Sequence, residues 1–150
     1  MRLLFYNSNV SLNLRNEQLF DLESYKGQRV VLYFYPKDNT SGCTQEACDF
    51  RDNMNRITQY ATVIGVSPDS IKSHKSFQEK QGLNFALLSD PEHILSEKFG
   101  VWKEKSMYGR KYMGIERSTF ILDNAGNIEK EWRKVKVKGH VDEIIEYLVH

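Results

Sequence analysis

Cysteine is scarce in this chain, long apolar runs are missing, and neither sign of charge dominates. Two cysteines among 150 residues leave no dense disulfide framework, and a chain of this length buries a core without disulfide or metal staples. Leu3, Leu4, Phe5 and Tyr6 follow a single arginine and make a run far shorter than a signal-peptide core, so nothing argues for export. Two thiols with no export signal favour thiol chemistry in a reducing cytoplasm over a structural bridge, and a cytoplasmic protein is expected. With 21 basic against 20 acidic residues and a net charge of +1, there is no electrostatic reason to expect nucleic acid or a membrane as partner. His74, His93, His140 and His150 share no ligand spacing with one another or with the cysteines, so no metal site is expected and the four rings are placed at the surface or half-buried. Internal repeats, low-complexity tracts and linkers are lacking too, which leaves one domain over residues 1–150.

What the chain does contain is a continuous α/β rhythm. Leu12 to Leu14 and Gln18 to Leu22 read as short strands of an N-terminal β-hairpin. Arg29 to Tyr35 is an unbroken apolar and aromatic run of the length expected for a strand buried on both faces. A helix follows over about 43–59, with Ala47, Phe50, Met54 and Ile57 at helical spacing. Ala61 to Ser67 reads as a second buried strand. A helix starting at Pro68, Asp69 and Ser70 carries Ile71, His74 and Phe77 on one face and ends at Gly82. Phe85 to Leu88 is a strand, and Asp90 and Pro91 cap a short helix that runs to Phe99 and Gly100.

Residues 101–116 are polar, basic and aromatic and read as irregular. Their Trp102, Met107, Tyr108, Tyr112 and Met113 suit either ordinary loop packing or an apolar rim for a bulky substrate. Arg117 to Asp123 and Ile128 to Val137 form a hairpin around residues 124–127, with Arg133, Lys134, Lys136 and Lys138 on its solvent face. Gly139 to Val149 closes as an amphipathic helix with Val141, Ile144, Ile145 and Leu148 inward.

The most informative residue is Cys43. Pro36 ends the aromatic strand, residues 37–42 are turn formers and helix N-cap types, and Cys43 falls in the first helical turn. Unpaired N–H groups and the positive end of the helix dipole favour an anion there, which makes the sulfur a candidate nucleophile. Cys48 lies on the same predicted helix. A continuous helix separates the two Cα atoms by roughly 8 to 9 Å, whereas a disulfide tolerates at most about 7 Å. If the two sulfurs bond, the helix start must unwind and rewind in each cycle, and opening a helix end costs a few kcal/mol or less.

The segment from Val30 to Asp52 resembles the active site of the peroxiredoxins, specifically the bacterioferritin comigratory protein or peroxiredoxin Q branch, of atypical two-cysteine type. Pro36, Thr40 and Cys43 match the family pattern of proline, threonine and cysteine. Tyr35 to Asp38, Gly42 to Thr44, Glu46 to Cys48 and Phe50 to Asp52 match the longer branch signature, and the similarity covers roughly residues 20–150. The resemblance implies a thioredoxin-like α/β fold, a central mixed β-sheet flanked by helices with an N-terminal β-hairpin. Two departures stand out. Ser41 replaces the proline that usually precedes Gly42 and Cys43, restoring a backbone donor and loosening the turn. The N-terminus lacks the opening stretch common in relatives.

As the resemblance implies, Cys43 attacks a hydroperoxide and Cys48 condenses with the resulting sulfenic acid to a disulfide. Ionisation alone cannot make such a sulfur fast. A free thiol of pKa about 8.5 gains at most roughly thirtyfold by complete ionisation, about 2 kcal/mol, so groups must also stabilise charge on the departing oxygen. Thr40, whose hydroxyl can point to the sulfur and the peroxide, and Arg117, which the family closes on the same pocket, are the candidates. Pro36 shields the sulfur from water. Glu46, one turn after Cys43, suits either the helix N-terminus or the hydrogen bonds of the pocket.

Thioredoxin or a similar dithiol resets the enzyme, no cofactor is required, and a monomer is expected because both cysteines fall on one helix. A general thiol–disulfide oxidoreductase is disfavoured because four residues, not two, separate the cysteines. The alternative from another class is a thioredoxin-fold protein kept as a chaperone or partner-binding module.

Overall fold

The computed structural model describes the backbone of strands β1 (Arg2–Tyr6) and β2 (Glu17–Asp21) and all of residues 27–150. The remaining strands of the main sheet are β3 (Val30–Phe34), β4 (Thr62–Ser67), β5 (Ala86–Ser89), β8 (Ser118–Leu122) and β9 (Ile128–Trp132), in the order β2-β1-β5-β4-β3-β8-β9. The sheet is mixed: β3, β4 and β5 run parallel, while β8 pairs antiparallel with β3 and β9 with β8. Among the described residues no helix is long and apolar enough to cross a membrane.

Alternation along β3 separates two cores. Val31 and Tyr33, with Tyr35 beyond the strand end, face a cluster holding Cys43, Ala47 and Phe50 of α1 (Ser41–Asp52), Phe77 of α3 (Ile71–Gln81) and Val141, Ile144, Ile145 and Leu148 of α5 (His140–Val149). Val30, Leu32 and Phe34 face the opposite cluster with Leu95 of α4 (Ile94–Lys98), Phe99, Val101, Ile115 and Phe120. A strand buried on both faces is therefore apolar at every position, which is how β3 reads in sequence. Gly65 sits opposite Tyr33, and a β-carbon there would stand 2.9 Å from the Tyr33 ring.

Several boundaries depart from expectation. The expected helix over 43–59 begins two residues earlier and breaks at Asn53, whose side-chain amide donates to the Asp49 carbonyl (2.8 Å) before a four-residue helix α2 (Met54–Ile57) resumes. An asparagine that bonds its own helix backbone offers the chain an alternative to continuing it. β2 agrees with the strand expected near 18–22, but its hairpin partner is β1; the strand expected at 12–14 lies outside the described residues.

Residues 101–116 are not irregular. They form a separate antiparallel hairpin of β6 (Trp102–Met107) and β7 (Arg110–Ile115), turned at Tyr108 (φ 52) and Gly109 (φ 78). Met107, Tyr108, Tyr112 and Met113 on it are exposed, so ordinary packing does not account for them. The alternating strand expected to reach Val137 stops at Trp132. There Arg133 turns to donate to the carbonyls of Gly100 and Phe99, both at 3.0 Å, and Lys134 takes φ 50, so the basic run is not the face of a strand.

Candidate active site

β3 delivers Tyr35 to the sheet end, half-buried Pro36 stops the strand, and the loop 36–40 carries the chain to α1. Thr40 is the N-cap in extended conformation, and its carbonyl accepts the first helical bond from Thr44 N–H (2.8 Å). Cys43 is thus the last residue of the turn whose amides have no helical acceptor, where the peptide dipoles favour negative charge.

Contrary to a sulfur lying in a polar turn, Cys43 is only 2 % exposed, at the edge of the apolar cluster under α1. A cation reaches it: Arg117 Nη2 donates to Cys43 Sγ at 3.3 Å, while Nη1 donates to Glu46 Oε1 at 2.6 Å. Glu46 is fully buried. The first turn of α1 holds no acid, and Glu46, one turn after Cys43, is a partner of the pocket arginine. Gly42 makes room for this bridge, since a β-carbon there would already touch Arg117 Nη2 at 3.4 Å.

Thr40 differs from expectation. Its hydroxyl donates to the Lys37 carbonyl (2.9 Å) and not to the sulfur, which leaves its oxygen lone pairs as acceptors. Cys48 is half-buried on the α3 side, with its sulfur 3.7 Å from Gln81 Oε1. Arg51, one turn on, donates to the Gln81 carbonyl, so this part of α1 is tied to the end of α3. The continuous helix keeps the two cysteines at the helical separation of roughly 8 to 9 Å.

Two histidines expected at or near the surface are buried. His74 is completely enclosed, and His140, 4 % exposed, lies 2.8 Å through Nε2 from Thr119 Oγ1. A period-3 match of His74 with Ile71 and Phe77 on one helix face was the available signal for the first. Nothing local marked His140.

Burial pushes the Glu46 carboxyl up from 4.5 to about 7 against the pull of Arg117. The folded chain keeps this proton where the unfolded chain has released it. Glu46 therefore favours the fold fully below 4.5 and loses that contribution as pH rises through about 7. His140 has the opposite sign. Burial, then the Arg117 charge, lowers it from 6.5 to about 4, so its contribution is complete above 6.5 and is lost as pH falls through about 4. Opposed slopes flatten the profile of the native protein between 4.5 and 6.5. Glu46→Gln removes one slope, and its melting temperature is expected to fall as pH drops from 6.5 towards 4. Melts of the variant that parallel the native protein across that window would contradict this assignment.

Comparison with known proteins identifies the family. A family model described as the AhpC/TSA family matches residues 8–131. The chain belongs to the AhpC/TSA family. Peroxiredoxin Bcp of Bacillus subtilis (strain 168) is 58% identical over 128 residues, covering 85% of this chain and 82% of that protein. Peroxiredoxin Bcp of Escherichia coli (strain K12) is 42% identical over 139 residues, 92% of this chain and 89% of the relative. Among solved structures, the Xanthomonas campestris bacterioferritin comigratory protein, studied for its alkyl peroxide reduction activity, superposes with a TM-score of 0.89 at 41% identity, covering 99% of this chain and 90% of its own. The chain is a peroxiredoxin with a thioredoxin-like fold, similar to the Bcp or peroxiredoxin Q proteins, and a peroxidase.

Proposed function

We propose that this peroxiredoxin reduces hydrogen peroxide and organic hydroperoxides through Cys43, with Cys48 as resolving thiol and thioredoxin or a similar dithiol as reductant. The guanidinium of Arg117, in contact with Cys43 Sγ at 3.3 Å, carries this reading. The Cys43 thiolate attacks the terminal peroxide oxygen, the S–O bond forms as the O–O bond breaks, and water or alcohol leaves after taking up a proton. Arg117 offers N–H donors and positive charge at the sulfur, so it stabilises charge moving on to the departing oxygen more than it stabilises bound peroxide. Thr40, with its own proton on Lys37, accepts from the peroxide O–H, and Pro36 covers the sulfur against water. Glu46 holds the guanidinium in place from the buried side.

Condensation of the sulfenic acid with Cys48 expels water and forms an intramolecular disulfide, which the external dithiol reduces at the cost of its own oxidation. No metal, flavin or haem enters the cycle. Since both sulfurs belong to one helix, α1 opens to bring them together and no second chain is needed; we place the enzyme in the cytoplasm as a monomeric single domain.

Reduced protein mixed with one equivalent of hydrogen peroxide should lose both thiols and yield a Cys43–Cys48 disulfide within one chain, read by peptide mapping and a non-reducing gel. Cys48→Ser should consume the single equivalent and accumulate Cys43 sulfenic acid, going on to sulfinic acid only as further peroxide is added and consumed. Thioredoxin-coupled turnover unchanged in Cys48→Ser would remove the resolving role.

A further inference from the structure

We propose that His74 is a positioning residue for the peroxide pocket: through a buried hydrogen bond to Asp38, it clasps the loop that carries Pro36 and Thr40 to the nucleophile. The proposal rests on the reading of Cys43 as that nucleophile. In the loop, Lys37, Asn39 and Thr40 are exposed, and Asp38 alone turns inward, 5 % exposed. Its Oδ1 accepts from the Tyr35 hydroxyl (2.6 Å), and its Oδ2 accepts from the Ser73 hydroxyl (2.8 Å) and lies 2.7 Å from His74 Nδ1. Its backbone N–H donates to Asp69 Oδ2 (2.8 Å), which also accepts from the Ser67 hydroxyl (2.7 Å). β3, β4 and α3 thus converge on one loop residue.

The donor count places a proton between the two side chains. His74 Nε2 is 3.0 Å from the Leu88 carbonyl oxygen, which has no proton to give, so Nε2 is the donor. A neutral ring would then turn the Nδ1 lone pair on a carboxylate oxygen at 2.7 Å. One proton therefore lies between Nδ1 and Asp38 Oδ2, and the Tyr35 and Ser73 hydroxyls satisfy the other carboxyl lone pairs. The two side chains are 0% and 1% exposed. Removing one member of a buried ion pair strands the other, whereas replacing both with neutral groups costs far less. Asp38, Asp69 and His74 bring ligand-type atoms within 4.8 Å of one another, and hydrogen bonds already engage each of them.

The consequence falls on α1. Residue 41 is serine, so the turn into the helix lacks a proline to stiffen it. The Asp38 clasp, two residues before the Thr40 N-cap, supplies that stiffness from outside the turn.

The test compares His74→Gln, Asp38→Asn and the double variant by stopped-flow rates of peroxide attack and by Cys43 alkylation with a neutral reagent. His74→Gln should slow peroxide attack at least about tenfold and alter alkylation less than about threefold. Asp38→Asn, which lets a neutral ring accept from the amide, should be milder, and the double variant should recover at least about threefold over His74→Gln. Should His74→Gln alone fail to fold, a double variant that folds supports the pairing in the same way, and one that also fails to fold counts against it. Peroxide attack in His74→Gln within about twofold of native, or a double variant no faster than the single one, would overturn the proposal. Peroxide consumption by Cys43→Ser would instead sink the reading beneath it.

Discussion

Cys43→Ser is expected to reduce peroxide turnover to the uncatalysed background, a loss of at least about 10⁶-fold if the enzyme sits at the low end of enzymatic accelerations. Serine keeps the size of the side chain and a hydrogen-bonding atom for Arg117. It supplies no thiolate, and its oxygen cannot accept the peroxide oxygen as a sulfenic acid. The site is 2 % exposed, so melting and circular dichroism must accompany the assay to show that the variant is folded. Turnover above background, with thioredoxin recycling present, would move the nucleophile away from residue 43.

Arg117→Ala should slow peroxide attack by about 10² to 10³-fold, the cost of removing one donor aimed at developing charge, or roughly 3 to 4 kcal/mol. Alkylation of Cys43 by a neutral reagent should change much less, because that reaction develops no charge on a departing peroxide oxygen. Equal losses in both reactions would mean that Arg117 tunes only the sulfur. The variant also strands buried Glu46, whose Oε1 loses its 2.6 Å donor. Arg117→Ala/Glu46→Gln separates this burden from catalysis: it should regain stability without regaining the peroxide rate. Arg117→Lys should recover part of the rate at most, since an ammonium is a compact charge and cannot fork between sulfur and carboxylate as the guanidinium does.

Legibility followed the range of the interactions. β3 was readable because a strand buried on both faces is apolar throughout, and α5 because its inward residues repeat at helical spacing. The β6–β7 hairpin was not readable. Its strands stand apart from the main sheet with polar residues on both faces, and its two-residue turn places Tyr108 at φ 52, where asparagine would have been the usual signal. β9 was overextended because Trp132, Val135 and Val137 alternate with basic residues, and only the Arg133 bonds to Phe99 and Gly100 end the strand. Glu46 left two roles open in sequence; α1 begins at Ser41 with no acid in its first turn, and burial sets Glu46 on the pocket arginine.

By itself the sequence determined the fold class and the family and singled out Cys43 as the nucleophile proposed above, since strand, turn, helix start and cysteine pair all lie within residues 30–52 and depend on neighbours along the chain. Tertiary structure decided which distant groups stand against that sulfur and its loop. Arg117 is 74 residues from Cys43 and His74 is 36 from Asp38. They meet because β8 pairs beside β3 and because α3 packs across the same sheet face as α1. Strand order and burial also set the protonation of Glu46 and His140, because the cost of a charge depends on the water excluded around it.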